Sequence, residues 1–313
     1  MPTSSLRSPA LLFAPLTARL TAVPMALLMV LAGCSATAPY NAADGVLRVV
    51  ASTSVYGDLA SAIGGSRVEV TSIIHDPNQD PHQFEANGRV QLALSRADVV
   101  IVNGGGYDDF ATTMLAASGN TDARVIDAVY LSGHDVTSAG FNEHVWYDYP
   151  TVITVVKAIA AALDIADPDN ASSYDAMASV LVARVGALET LETSVASVAH
   201  GAGVVITEPV PLYALTACGL TNVTPPAFSE AIEADIDAPP LLLQSVLDQI
   251  AEGSAAVVVY NAQTGGPQTE AVLAAATTAG VPTIGVTEIP PSGTDYVAWQ
   301  TTFLTDLLTA LAT

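Results

Sequence analysis

Basic residues are scarce in this sequence. Nine lysines and arginines stand against 31 aspartates and glutamates among 313 residues, and Lys157 is the only lysine. Proteins that bind nucleic acid neutralise phosphate with lysine and arginine, so a formal charge of -22 excludes nucleic acid as a partner. Charged residues form only 13% of the chain and hydrophobic residues 50%, which predicts a folded acidic protein with a large core.

Cysteines and catalytic motifs are also few. The two cysteines, Cys34 and Cys218, cannot build a disulfide framework, and Cys218 in the apolar stretch LYALTACGLTN is expected to be a buried, unreactive thiol. The sequence has no HExxH motif, no GxSxG nucleophile elbow and no Walker A loop. The glycines of VNGGGYDD lack the lysine of a phosphate-binding loop and predict a tight turn after a strand. These absences indicate a protein that is not an enzyme.

The first 33 residues have the pattern of an export signal. Arg7 and Arg19 precede an apolar run of about a dozen residues, which is too short to span a bilayer comfortably. The run ends in LAGC, which resembles a bacterial lipobox and implies cleavage before Cys34 and attachment of lipid to it. A plain secretory signal with an incidental cysteine is the alternative. We expect a signal peptide at 1–33, a lipidated flexible tether at 34–45, and a protein anchored to the outer face of the cell membrane.

Strand-like and helix-like segments alternate along the rest of the chain. Strands are predicted at VLRVVAST, RVEVTSII, DVVIVNGGG and ARVIDA, and the pattern recurs later at GAGVVITE, AAVVVYNAQ and VPTIGVTE. Amphipathic, helix-like segments separate these runs. The alternation predicts an α/β fold with two lobes, at 46–166 and 200–313, each a mostly parallel sheet flanked by helices.

One long helix is predicted between the lobes, at 167–199. Asp167 and Pro168 are suitable residues to start it. Apolar residues then follow at intervals of three or four: Tyr174, Met177, Leu181, Val185, Leu188, Leu191, Val195 and Val198. A rigid joint of this kind limits hinge motion, so a ligand between the lobes would be gripped with small adjustments.

Four side chains that can bind metals lie at strand ends or helix starts, where ligands bind in such folds. They are His82 in DPHQFE, His144 in NEHVWYD, Glu208 in VVITEPVP and Glu288 in PTIGVTE. Each alone has an ordinary explanation. The first histidine could be exposed or capping, the second could pack against neighbouring aromatic residues, and the glutamates could cap helices or turns.

The order of these motifs resembles that of a known family, the metal-binding lipoproteins of bacterial ABC importers for zinc and manganese. The similar segments are the lipobox, DPHQFE, NEHVWYD, ITEPVPLYALTACGL, VVYNAQ and VPTIGVTE, arranged around a long central helix over about residues 46 to 313. The resemblance implies two α/β lobes joined by that helix, with the metal site between them. It implies one ligand from each motif: His82 and His144 from the N-terminal lobe, and Glu208 and Glu288 from the C-terminal lobe.

Two positions depart from the family's pattern. Many zinc-binding members have histidine where this chain has Glu208, which resembles the glutamate of manganese-binding members. The fourth ligand is usually aspartate, and Glu288 is one methylene longer, so Asp235 and Asp237 in EADIDAPP are rival carboxylates. Oxygen-rich sites suit Mn²⁺ or Fe²⁺, whereas a tetrahedral site would hold Zn²⁺ more tightly. The predicted cargo is therefore Zn²⁺ or Mn²⁺.

The resemblance also implies partners. They are an integral-membrane permease driven by a cytoplasmic ATPase, and the membrane itself through lipid on Cys34, with the binding protein a monomer. A metal-dependent hydrolase and a surface adhesin with a structural metal are the alternative functions.

The remaining polar residues near these motifs have smaller predicted roles. Metal-bound imidazoles usually donate their second N–H to a carboxylate or carbonyl, and Glu85 or Asp148 could accept it. Three further histidines are expected at the surface: His75, His134 and His200. For His75, an auxiliary contact to the metal is the alternative.

Overall fold

The structure, a computed structural model, describes residues 45–76, 84 and 87–312. Residues 39–313 belong to one compact unit, which contains both sheets described below. The predictions for the signal peptide, Cys34, His82 and Glu85 lie outside the described residues.

The N-terminal sheet has four parallel strands in the order β2-β1-β3-β4. β3 is buried at every residue, as expected for a central strand covered on both faces. The strands are β1 (Leu47–Thr53), β2 (Val68–Ile74), β3 (Val99–Val102) and β4 (Arg124–Asp127). The helices of this half are α1 (Ser54–Gly64), α2 (Gly88–Leu94), α3 (Asp109–Ser118) and α4 (Ala128–Ser132).

The C-terminal sheet repeats the same arrangement, with four parallel strands in the order β6-β5-β7-β8. The strands are β5 (Gly203–Ile206), β6 (Thr221–Asn222), β7 (Val257–Asn261) and β8 (Thr283–Val286). The helices between them are α7 (Leu212–Ala217), α8 (Pro226–Glu233), α9 (Pro240–Ala251) and α10 (Pro267–Ala279). Sequence periodicity missed β6 because two residues are too few to show alternation.

Three longer helices complete the fold. α5 (Tyr149–Ala166) and α6 (Ala171–Ala199) connect the two sheets, and α11 (Tyr296–Leu311) follows β8. Both α5 and α11 pack along α6. By length and hydropathy α5 could cross a membrane, yet half of its residues are buried inside the protein. Two parallel α/β sheets joined by a long helix confirm the predicted fold class.

The long helix α6 has 29 residues and buries a stripe with alternating spacings of four and three. The stripe consists of Tyr174, Ala178, Leu181, Val185, Leu188, Glu192, Val195 and Ala199. Three predicted apolar positions are displaced by one residue. Met177 is 44% exposed because Ala178 faces the core, and Leu191 and Val198 are only partly buried because Glu192 and Ala199 take the inward positions. Because the buried positions repeat every seven residues, the same side of α6 faces the neighbouring helices, whichever residue type occupies each position.

Glu192 is therefore a carboxyl group in an apolar helix interface. Burial, followed by the nearby charges of Glu189 and Asp148, raises the pKa of Glu192 from 4.5 to about 8. Cys218 also lies in this region, fully buried as predicted, and burial raises the pKa of its thiol. The interface favours the protonated, neutral form of Glu192.

The folded protein thus holds the Glu192 proton more tightly than the unfolded chain does. The stabilising contribution is complete below about pH 4.5 and is lost as the pH rises toward about 8. We expect Glu192→Gln, which stays neutral, to raise the free energy of unfolding at pH 8.5 by roughly 1 to 3 kcal/mol and to change it little at pH 4.5. Urea unfolding of the metal-free protein across this range measures the difference. Asp306→Asn, which removes an exposed carboxylate from α11, is the control; equal pH profiles for the two variants would contradict the assignment.

Candidate metal-binding site

Both sheets reverse their strand order at equivalent places, between β1 and β3 and between β5 and β7. Ligand sites in such sheets form outside the carboxyl ends of the strands that flank the reversal. Tyr107 follows β3, Glu208 follows β5, and Asn261 ends β7. The topology therefore brings polar side chains from both lobes to one region.

Three of the four predicted ligands lie within the described residues, and all three are buried. The exposed fraction is 0% for His144, 3% for Glu208 and 1% for Glu288. Buried carboxylates are unfavourable unless hydrogen bonds or positive charge compensate for the lost hydration. Few cations are available in this chain, so the compensation begins with neutral donors.

Asn261 supplies the central donor. Its Nδ2 lies 2.7 Å from Oε2 of Glu208 and 3.0 Å from Oε1 of Glu288, and it donates to both carboxylates. β7 lies between β5 and β8, so its last residue sits between the chains that carry the two glutamates. Sequence reasoning did not assign Asn261 a role, although a polar residue ending the apolar run VVVYN was the available signal.

Each glutamate has further partners. The Thr264 hydroxyl donates to Oε1 of Glu208, and the Tyr107 hydroxyl donates to Oε2 of Glu288 over 2.9 Å. The backbone N–H of Glu288 donates to Oε1 of Gln263 at 2.5 Å. Burial, followed by the Glu288 charge, raises the pKa of Tyr107 well above its ordinary value, so this tyrosine stays a donor.

The loop that carries Tyr107 depends on the glycines after β3. Gly104 and Gly105 have φ of +80° and +67°, and a Cβ on Gly104 would lie 2.3 Å from a carboxylate oxygen of Asp127. Asp108 closes the loop by accepting the backbone N–H groups of Asn103 and Gly104 at 2.6 and 2.8 Å. The predicted tight turn is present, and it brings Tyr107 from the N-terminal lobe to Glu288 of the C-terminal lobe.

His144 is oriented by Asn142. Nδ2 of Asn142 donates to the Pro209 carbonyl at 2.9 Å, so its Oδ1 is the acceptor that faces Nδ1 of His144 at 2.6 Å. The hydrogen bond therefore assigns the proton to Nδ1 and directs the Nε2 lone pair away from Asn142, as metal-binding histidines require.

Asp148, which was predicted to orient His144, has different contacts. Oδ2 of Asp148 lies 3.1 Å from Nε2 of His134 and also accepts from the Thr151 hydroxyl. Asn142 takes the orienting contact instead because it lies two residues before His144, in a chain segment that doubles back on the imidazole.

Aromatic rings surround the imidazole. The ring centroids of Tyr107 and Trp146 lie 6.0 and 5.0 Å from that of His144, both edge-on. Apolar walls exclude water and strengthen the interaction of a bound cation with its ligands. The other three histidines within the described residues are exposed, as predicted: His75, His134 and His200.

Glu233 is a further acidic side chain at this site. It is the last residue of α8, and its Oε1 lies 3.5 Å from Nε2 of His144. Ligand atoms of Glu143, His144 and Glu233 all lie within 4.8 Å of one another; Glu208 and Glu288 are outside that group in the described part of the chain. Burial, then the charges of Glu143, Glu208, Glu288 and Glu230, raises the pKa of Glu233 to about 9.

The rival carboxylates suggested by the sequence lie elsewhere. Asp235 and Asp237 are both exposed, beyond the end of α8. The helix ends with N–H groups of Ile236 and Asp235 bonded to the carbonyls of Ala231 and Ile232, and Asp235 has a φ of +54°. This capping arrangement turns the chain outward immediately after Glu233.

Comparisons with known proteins agree with this architecture. The family model described as zinc-uptake complex component A, periplasmic, matches residues 49–310. The manganese-binding lipoprotein MntA of Halalkalibacterium halodurans is 32% identical over 172 residues, 53% of this chain and 56% of that protein. The iron ABC transporter substrate-binding lipoprotein MtsA of Streptococcus pyogenes serotype M1 is 29% identical over 171 residues, which are 51% of this chain and 54% of that protein. The matched regions thus span about half the length of these curated relatives.

Solved structures show the same fold. The periplasmic zinc binding protein TroA from Treponema pallidum superposes with a TM-score of 0.70 at 20% identity, over 85% of this chain and 99% of that one. FpvC from Pseudomonas aeruginosa, in complex with Mn²⁺, gives a TM-score of 0.69 at 24% identity, over 85% of this chain and 98% of that one. The family match confirms the resemblance noted in the sequence.

The shared amide of Asn261 gives a direct test of this geometry. Asn261→Ala leaves Glu208 and Glu288 without a common donor, so we expect the metal-free protein to lose about 2 kcal/mol or more of its free energy of unfolding. Thermal and urea unfolding measure the loss. Asn222→Ala, at the end of β6 in the same sheet, removes an asparagine whose side chain accepts from the nearby backbone N–H of Thr224 and should cost about 1 kcal/mol. Equal losses in the two variants would contradict a special role for Asn261.

Proposed function

Because this chain belongs to the zinc-uptake complex component A family, we propose that it is the extracytoplasmic solute-binding component of an ABC importer. It captures a divalent transition metal, Zn²⁺ or Mn²⁺, between its two lobes and delivers it to a membrane permease. The metal is cargo and undergoes no reaction, so the protein is not an enzyme. Its proposed ligands are His82, His144, Glu208 and Glu288.

The observation that carries this proposal is the buried pair of Glu208 and Glu288 on one amide, together with the buried His144. The described side-chain donors to the two carboxylates, Asn261, Thr264 and Tyr107, are all neutral and hold them in position. A divalent cation supplies positive charge, and the cost of carboxylate burial becomes binding free energy for the cation.

The division of ligands between lobes explains reversible capture. His144 and His82 belong to the N-terminal half of the chain, whereas both glutamates belong to the C-terminal half. A small separation of the lobes would remove two ligands from the cation at once and release it. The long helix α6, which packs against α1, α5 and α11, restricts the relative motion to such small displacements.

The ligand types leave two cations as cargo. Two imidazoles and two carboxylates suit Mn²⁺ when the carboxylates bind through both oxygens, and suit Zn²⁺ in a tetrahedral arrangement. Relatives named for manganese and iron match this chain, and so does a family model named for zinc. We therefore assign the cargo to this pair of cations.

The proposed location follows from the leader sequence and the relatives. MntA and MtsA are lipoproteins by name, and the segment LAGC ends at Cys34 here. A lipid on Cys34 would keep the monomeric protein on the outer face of the membrane, beside its permease.

Metal titration tests the capture function. We expect the purified, metal-free protein to bind one Zn²⁺ or Mn²⁺ per chain in a calorimetric titration. His82→Ala and Glu288→Gln should each weaken binding by about tenfold or more, because each removes a ligand. Glu230→Gln, which removes an exposed carboxylate from α8, is the matched control and should bind as the unmodified protein does. Absence of binding by the unmodified protein would refute the importer function.

Lipid attachment is tested separately in cells. We expect the unmodified protein to incorporate labelled fatty acid and to sediment with membranes, whereas Cys34→Ala should do neither because no thiol remains to carry the lipid. Equal labelling of the two proteins would disprove the lipidation at Cys34, without bearing on metal binding.

A further inference from the structure

Glu233 has a place in the site that the four-ligand set does not use. We propose that Glu233 is a further ligand of the captured cation, giving a carboxylate oxygen beside Nε2 of His144. This inference rests on the proposed function and specifies its coordination shell. It concerns a side chain at the end of α8, a helix that contributes none of the other ligands.

The separation of the two atoms supports a shared cation. Oε1 of Glu233 and Nε2 of His144 are 3.5 Å apart, beyond the usual range of an N–H···O hydrogen bond. Two donor atoms that each lie about 2.1 Å from one cation are about 3.0 Å apart at a right angle and about 3.6 Å apart at 120°, the angles of a five-ligand shell. The pair thus has the spacing of two ligands on one metal.

Burial points the same way. His144 is fully buried, and the Glu233 side chain is only 18% exposed. Oε1 of Glu233 itself is buried and makes no hydrogen bond to any described residue. A buried carboxylate oxygen without a hydrogen bond is costly, and a cation at this position would remove the cost.

The end of α8 fixes the position of Glu233. The side chain of Phe228, one and a half turns earlier, is fully buried and anchors the helix. The two capping hydrogen bonds after Glu233 then hold its backbone, so little conformational entropy is lost when its carboxylate binds a cation.

A third carboxylate changes the expected selectivity. Glu208, Glu233 and Glu288 would give up to three oxygen ligands beside the imidazoles, and oxygen-rich shells with more than four ligands favour Mn²⁺ over Zn²⁺. Removal of the Glu233 carboxylate should therefore weaken the binding of Mn²⁺ more than the binding of Zn²⁺.

The test compares Glu233→Gln with Glu230→Gln. Glu230 lies on the exposed face of α8, and the substitution makes the same change of side chain there. We expect calorimetry to give Mn²⁺ binding weaker by about tenfold or more in Glu233→Gln, a smaller loss for Zn²⁺, and no loss in Glu230→Gln. Equal Mn²⁺ affinity in Glu233→Gln and the unmodified protein would overturn the inference, as would tighter binding. A larger loss in Glu143→Gln than in Glu233→Gln would overturn it too.

Two further readouts separate a ligand from a structural residue. Thermal unfolding of metal-free Glu233→Gln should match the unmodified protein, which excludes misfolding as the cause. With Co²⁺ as probe, loss of a ligand lowers the coordination number and should strengthen the visible absorption of Glu233→Gln; an unchanged spectrum would overturn the inference. If the unmodified protein bound no metal, the proposed function itself would fail; if it bound metal and Glu233→Gln bound it equally, only this inference would fail.

Discussion

The amide of Asn261 donates to the carboxylates of both Glu208 and Glu288, and the rest of the site is arranged around this shared contact. A single neutral donor can position two carboxylates but cannot cancel their charge. Tyr107 and Thr264 add hydrogen bonds, again without positive charge. The result is a preorganised negative site beside a buried imidazole, which is the environment that a divalent cation requires.

The fold produces this arrangement through repetition. Both sheets have the same strand order, so each lobe has its crevice at the carboxyl ends of its first and third strands. Contacts between the lobes then connect the two crevices. The Tyr147 hydroxyl donates to the Thr287 carbonyl at 2.8 Å, and the Tyr296 hydroxyl donates to the Trp146 carbonyl at 2.6 Å. These tyrosines hold the segments next to His144 and Glu288 in a fixed relation.

Much of the architecture could be predicted from the sequence. Strands β1 and β3 are mostly apolar, buried runs, and the stripe of α6 repeats every seven residues, so both give a clear signal in the sequence. Periodicity was less reliable at the level of single residues. Met177 was predicted to face the core, but Ala178 does so, and a carboxyl group, Glu192, occupies an inward position that hydrophobicity alone would give to Leu191.

The sequence by itself determined the α/β class, the long helix and the residue types that can bind a metal, because hydrophobic spacing and side-chain chemistry are local properties of the chain. Only the tertiary structure decided which of those side chains meet. Asn261 reaches Glu208 across 53 positions of sequence, and Tyr107 reaches Glu288 across 181. Likewise, Glu233 rather than Asp235 faces His144 because the cap of α8 turns the chain outward between them. Strand order and helix ends set these distances, and neither is encoded in any one segment.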